Sequence, residues 1–144
     1  MPSVTDWTTT PLAVADGPTV YSADNFYAEV AAEMVGLRQE QLRILLLNNK
    51  HQIIEHRILY TGTLTSSPVR PAEIFRPAIL ASAASVAMAH NHPSGDPTPS
   101  PEDVLVTRRI REAGELLDIE LIDHVVIGRD SFVSMRQRRL GFDK

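Results

Sequence analysis

The stretch from Ala84 to Leu117 fixes most of what this chain can fold into. Ala84 to Ala89 is a run of small and apolar residues. Val86 and Met88 are its larger members, and it reads as a strand packed closely under a helix. It ends on His90-Asn91-His92-Pro93, and a proline-dense loop follows. Ser100 to Leu117 is then the clearest helix, with Val106, Ile110, Ala113 and Leu117 at helical spacing on one face. Ser100-Pro101-Glu102-Asp103 opens it as an N-cap, a proline at N1 and an acid at N3. Side chains two apart on a strand share a face, so His90 and His92 project together. They do so at the C-terminal strand end, where open α/β sheets place their sites.

The flanking segments complete the architecture. Ser22 caps a helix carrying Phe26, Val30 and Met34, which Gly36 ends. Leu42 to Leu47 is a short buried strand, and Asn48-Asn49-Lys50 is a turn. His51 to Tyr60 reads as a second strand, antiparallel to the first, broken or bulged at Gly62 with an extension through Leu64. Pro71 starts a helix to about Ala83, and Pro77 inside it should bend it or delay its start. Ile119 to Ile127 is a strand, Gly128-Arg129-Asp130 a turn and Phe132-Val133-Ser134 a last short strand. The order α-β-β-α-β-α-β-β gives a single α/β domain, a mixed sheet with helices packed on it, over residues 21–144. Residues 1–20 are rich in Thr, Pro and small residues and read as a flexible tail or linker remnant, in which Trp7 has no legible partner.

Composition narrows the chemistry. At 144 residues the chain can bury a core without staples. It has no cysteine, so any metal must be held by His and carboxylates. The net charge of −4 weighs slightly against nucleic acid as an obligate partner. Basic clusters do occur at Arg108, Arg109 and Arg111, read as a solvated helix face, and at Arg136, Arg138 and Arg139. No apolar run reaches membrane-span length, so no membrane partner is expected. The first residues lack the basic start and apolar stretch of a secretory signal, which makes the cytoplasm the expected compartment.

His90, His92 and, eleven residues on, Asp103 make a three-ligand set for a divalent metal with one position left for water. That is the arrangement of a catalytic zinc rather than a structural one. Two plainer readings stand beside it: the histidines as a polar strand end, and Asp103 as a helix-capping acid. The contiguous His-Asn-His does not point to the nucleases named for those letters, whose three residues are spread through a hairpin and a helix. Asp123 and His124 sit in an apolar strand, where burial with a hydrogen-bond partner is expected. Contact with a metal-bound histidine is the alternative. His51 and His56 read as ordinary strand positions.

The run from His90 through Ser100 to Asp103, with Thr107-Arg108-Arg109, Asp123-His124 and Gly128, resembles the JAMM (MPN-plus) metal-dependent hydrolases. More closely it is similar to the JAMM-type domain of the bacterial RadC family, over about Ser22 to Leu140. The family pattern is a glutamate, then His-x-His, then Ser and Asp at eight and eleven residues past the second His. Here these are His90, His92, Ser100 and Asp103 without a gap. The resemblance implies a cytidine-deaminase-like α/β/α sandwich and zinc held by His90, His92 and Asp103. It also implies a general base at the start of the first strand, which Glu40 matches, and Ser100 directed at the oxyanion. Glu33, a turn earlier on a helix face, and Glu73, near the start of the middle helix, are rival bases. RadC proteins usually carry a helix-hairpin-helix-like domain before this one, and residues 1–20 do not contain it, so DNA contacts attributed to that domain are not carried over.

The leading expectation is therefore a zinc metallopeptidase that directs water onto an amide or isopeptide bond of a peptide or protein. The alternatives are a DNA-processing protein, as a metal-dependent nuclease or repair accessory, and a non-catalytic domain stabilised by its metal. The intact set Glu40, His90, His92, Ser100 and Asp103 argues against the last, since a scaffold needs neither the glutamate nor the serine.

Overall fold

A strand whose residues are all apolar must be covered on both faces. Gln41–Leu47 (β1) comes close to this: Leu42 and Ile44 to Leu47 are apolar, and every residue from Leu42 onward, Arg43 included, is buried. In the computed structural model, which describes residues 17–62 and 69–143, two apolar clusters cover it. Leu42, Ile44 and Leu46 pack with Ile74, Phe75 and Ala78 of Pro71–Leu80 (α2) and Ile110 of Pro101–Leu117 (α3). Leu45 and Leu47 pack with Phe26, Val30 and Met34 of Ala23–Met34 (α1). The result is the expected α/β/α sandwich, with one helix on one face and two on the other.

The sheet is mixed. Ile53–Thr61 (β2), β1, Ser85–Asn91 (β3), Glu120–Ile127 (β4) and Phe132–Ser134 (β5) lie in the order β2-β1-β3-β4-β5. Only β3 and β4 are parallel, joined through α3 as the crossover; the other pairs are antiparallel. β3 is central and buried along its whole length, and it carries His90 and Asn91 at its C-terminal end. In the β3–β4 ladder the register shifts by one residue between Val86 and Ala87, leaving Ile122 extra on β4. Such a bulge re-aims the side chains after it. It places His124 opposite Met88, on the same sheet face as His90.

Several expectations change in detail. Helix α2 ends at Leu80 rather than near Ala83, since Ser82 turns into the left-handed region at φ 55°. Pro77 is accommodated inside the helix, which still begins at Pro71. His51 is not a strand residue: it sits in the turn before β2 at φ 59°, held by Asn48, whose carbonyl accepts from its N–H. Of the expected face of α3, Ile110 is in the core and Val106 and Ala113 pack partly buried against it, but the buried line is Asp103, Thr107, Ile110 and Gly114. Leu117 is exposed. The reason is the close approach at Gly114, where a Cβ would fall 2.4 Å from the Ile119 carbonyl oxygen and 3.2 Å from Phe75. That contact rotates the helix so that its polar residues face the sheet. At the other end of the domain, Pro18 and Val20 bond to Ile53 and His51, so the last residues of the expected tail are tied to β2. Trp7 and Leu64 lie outside the described residues.

Candidate metal centre

Alternation along β3 sends His90 to one face and Asn91 to the other, and His92 follows just past the strand. The turn after β3 is closed by Gly95 N–H donating to the His92 carbonyl at 2.9 Å. The chain then reaches α3, whose first turn forms a reciprocal capping box. Ser100 Oγ accepts from Asp103 N–H at 3.1 Å, and Asp103 Oδ2 accepts from Ser100 N–H at 2.7 Å. The capping reading of Ser100 and Asp103 is thus correct, and it does not exclude the other. The box is what locks the Asp103 carboxylate toward the histidines.

Three ligand atoms converge. His90 Nε2 and His92 Nε2 are 3.0 Å apart. Asp103 Oδ1 lies 3.2 Å from His90 Nε2, and Oδ2 lies 3.3 Å from His92 Nε2. Zinc bonds of about 2.0–2.1 Å set at tetrahedral angles put ligand atoms about 3.3 Å apart. The two nitrogens stand near that spacing, each has one carboxylate oxygen near it too, and one ligand atom from each residue lies within 4.8 Å of the others. His90 is fully buried and Asp103 nearly so, while His92 is half-buried, which leaves the open side of the cluster next to His92.

The far nitrogen of each histidine is already committed, and the direction of every bond can be worked out. His92 Nδ1–H donates to the Asp96 carbonyl at 2.9 Å, which leaves the Nε2 lone pair pointing at the centre. For His90 a buried relay does the same. Thr107 donates its hydroxyl to the Asp103 carbonyl at 2.7 Å, with Met135 Sδ at 3.4 Å a weaker acceptor. The Thr107 oxygen therefore accepts from His124 Nδ1 at 2.6 Å. Burial pushes the His124 imidazole down to about 3, so it is neutral and its Nε2 is an acceptor. His90 Nδ1 is 2.7 Å from that Nε2 and must be the donor, leaving His90 Nε2 bare toward the centre. The backbone of one ligand is thereby tied to the ring of another.

Electrostatics suit a cation. Burial by itself would raise the Asp103 carboxyl, but the imidazoles of His90 and His92 beside it hold it well below the usual range. The Asp103 carboxylate favours the protonated His92 ring and raises it, against burial, and the Glu40 charge adds to the rise. Glu40 is thus close enough to be felt at the cluster. It lies half-buried just before β1, and its carbonyl accepts from Gly62 N–H at 2.8 Å. Asn91 pins the residues on either side of it: its amide donates to the Gln39 carbonyl at 3.1 Å and its oxygen accepts from Gln41 N–H at 2.8 Å. The rival carboxylates are engaged elsewhere. Glu33 pairs with Arg43 at 3.0 Å, with His56 Nδ1 4.0 Å away. Glu73 lies beside the Tyr60 hydroxyl, which burial and then that carboxylate push up to about 12.

Asp123 and His124, read together from sequence, have separate roles. Asp123 accepts from His124 N–H, Ser134 Oγ–H and Arg136 N–H, which ties β4 to the turn after β5. His124 touches His90. Three residues went unread as parts of the centre: Thr107, Asn91 and, as a definite contact, His124. Thr107 stands four residues after Asp103, on the same helix face, and that spacing was an available signal. Asn91 could have been placed on the face opposite the histidines, but nothing local names its partners.

An α/β/α domain with a mixed sheet, whose central strand delivers a His-His-Asp cluster able to hold a metal ion, defines the class of this protein. Residues 20–140 match the model of the RadC-like JAB domain, and the chain belongs to that family. It is 56 % identical over 112 residues to a UPF0758 protein of Roseiflexus sp. (strain RS-1), covering 78 % of this chain and 48 % of the relative. It is 46 % identical over 121 residues to one of Shouchella clausii (strain KSM-K16), covering 84 % and 53 %. The chain thus spans about half the length of these relatives. Among the described residues no helix is long and apolar enough to cross a membrane.

Proposed function

We propose that this chain is a zinc-dependent hydrolase of the JAMM type that directs water onto an amide or isopeptide bond. The observation that carries the reading is the convergence of His90 Nε2, His92 Nε2 and the Asp103 carboxylate within 4.8 Å of one another, with the Glu40 charge felt at His92. His90, His92 and Asp103 would hold the zinc. When bound, zinc lowers the pKa of water toward about 7 and polarises a carbonyl oxygen. The remaining steps fall to side chains. Glu40 takes a proton from the attacking water and returns it to the leaving amine. Ser100 Oγ accepts from Asp103 N–H, and its own O–H would donate to the oxyanion.

Cleavage screens with peptides, isopeptide-linked peptides and DNA, each with and without chelator, test the reading. Chelator-sensitive peptide cleavage is expected. Glu40→Gln should keep the zinc and the fold and lose about 10²-fold or more in rate, as for removal of a general base. Glu33→Gln and Glu73→Gln are the controls. Full activity in Glu40→Gln with loss in Glu73→Gln would move the base to α2. Chelator-sensitive cleavage of DNA alone would replace the peptidase reading.

A further inference from the structure

Beside His92 a hollow of about 400 Å³ opens between the segment after α1 and the turn after β4. Arg38 lines it from the first and Arg129 from the second, while Val35, Leu37 and Pro93 supply apolar surface. No carboxylate lines it. Arg43, Arg57, Arg108, Arg111 and Arg136 each pair with an acid. Among the described residues Arg38 and Arg129 form no ion pair, as is true of Arg70, Arg76, Arg109, Arg138 and Arg139, but these two share the one hollow beside His92. Two unpaired guanidiniums around one concavity leave a positive field that an anion would relieve.

The position of Arg129 is built into the fold. A Cβ on Gly95 would lie 3.3 Å from Arg129 Cβ and 3.5 Å from its Cζ and Nε. The Arg129 side chain therefore lies along the turn that follows β3, in the space glycine leaves. Its backbone N–H also donates to the Gly95 carbonyl at 2.9 Å. That same turn holds the His92 ring through the Asp96 carbonyl. Arg38 belongs to the segment that Asn91 pins on either side of Glu40. Arg38 is thus carried by the segment that carries the candidate base, and Arg129 packs on the turn that carries a candidate ligand.

We propose that this hollow is the subsite that reads a carboxylate on the peptide substrate next to the scissile amide, through Arg38 and Arg129. Guanidinium forks bind carboxylates in bidentate fashion, and the apolar floor takes the adjoining carbon chain. The proposal rests on the amide-hydrolase reading for the substrate's class, but its test needs no turnover.

The test is binding to the full chain, with and without zinc, followed on the Gly95 and Gly128 amides by NMR. The probes are acetyl-Ala-Ala with a free terminal carboxylate, acetyl-Ala-Glu amide with a side-chain carboxylate, and neutral acetyl-Ala-Ala amide. At least one acid should bind about tenfold tighter than the neutral amide, and which acid does so tells a chain terminus from an acidic side chain. Arg38→Gln and Arg129→Gln should each weaken that preference, and together abolish it, in folded protein that still takes up zinc. Equal binding of acid and amide, no binding of any probe, or a preference surviving in the double variant overturns the proposal. Tighter binding of octathymidylate at the same amides overturns it in favour of a phosphate backbone. A carboxylate preference in a chain that takes up no zinc supports the hollow while removing the hydrolase reading; zinc-dependent cleavage without the preference does the reverse.

Discussion

Thr107→Val is the sharpest perturbation of the buried relay, because it keeps the shape and removes one hydroxyl. Two bonds disappear: the donation to the Asp103 carbonyl and the acceptance from His124 Nδ1. The first is worth about 1 kcal/mol, and the second leaves a buried N–H unsatisfied at a cost of about 1–3 kcal/mol. The added methyl recovers part of this, so the net loss is about 2–3 kcal/mol. A chain of 144 residues unfolds with an entropy of about 0.3 kcal/mol/K, so the melting point should fall by about 7–10 °C. The measurement is a far-UV circular dichroism melt of chelator-stripped protein, which separates the effect from metal binding. Thr107→Ser keeps the hydroxyl and loses only a methyl packed against Gly141, so it should fall by about 3 °C. Zinc affinity, read by competition with a chromophoric chelator, should drop by about 10–100-fold in the valine variant and little in the serine one. A valine variant that melts within about 2 °C of the parent and binds zinc as well as the parent would refute the relay.

About one zinc per chain should be found by elemental analysis, lost in His90→Ala and His92→Ala and weakened in Asp103→Asn. The core lies away from the centre, so the chelated protein should keep a cooperative melt; loss of that transition would make the metal structural. Asn91→Ala should retain zinc but slow peptide cleavage as Glu40→Gln does, because both anchors beside Glu40 are lost; unchanged cleavage rates would show that the segment holds its position without them. Stability without metal should also depend on pH. His124 binds a proton near 6.5 when unfolded but only at about 3 when folded. The unfolded chain holds more protons in that window, so the melting point should fall as pH drops from 6.5. His92 acts with the opposite sign: its folded value is raised, so its contribution is full below 6.5 and fades as pH rises through the raised value. A melting point flat from pH 6.5 to 4 would contradict the neutral, buried His124.

What the sequence determined by itself was local. Alternation on β3 put His90 and His92 on one face, and the three-residue spacing from Ser100 to Asp103 produced the capping box that aims the carboxylate. Helix starts at Ser22 and Ser100, the apolar β1 and the last strand Phe132–Ser134 were legible for the same reason, since each depends on neighbours within a turn or a strand. Tertiary structure decided the rest. His124 faces His90 only because a bulge in the β3–β4 ladder re-phases β4 across 34 residues of chain. Asn91 finds its partners 50 and 52 residues away, and Arg129 lies over Gly95 because two turns cross where a Cβ is missing. The face that α3 buries was only partly legible for a related reason: Ile110, Val106 and Ala113 do pack on the core, but Leu117 is exposed while Asp103 and Thr107 are buried. Hydrophobic spacing selects the apolar side of a helix, whereas here the contact at Gly114 turns a polar side inward to support the centre.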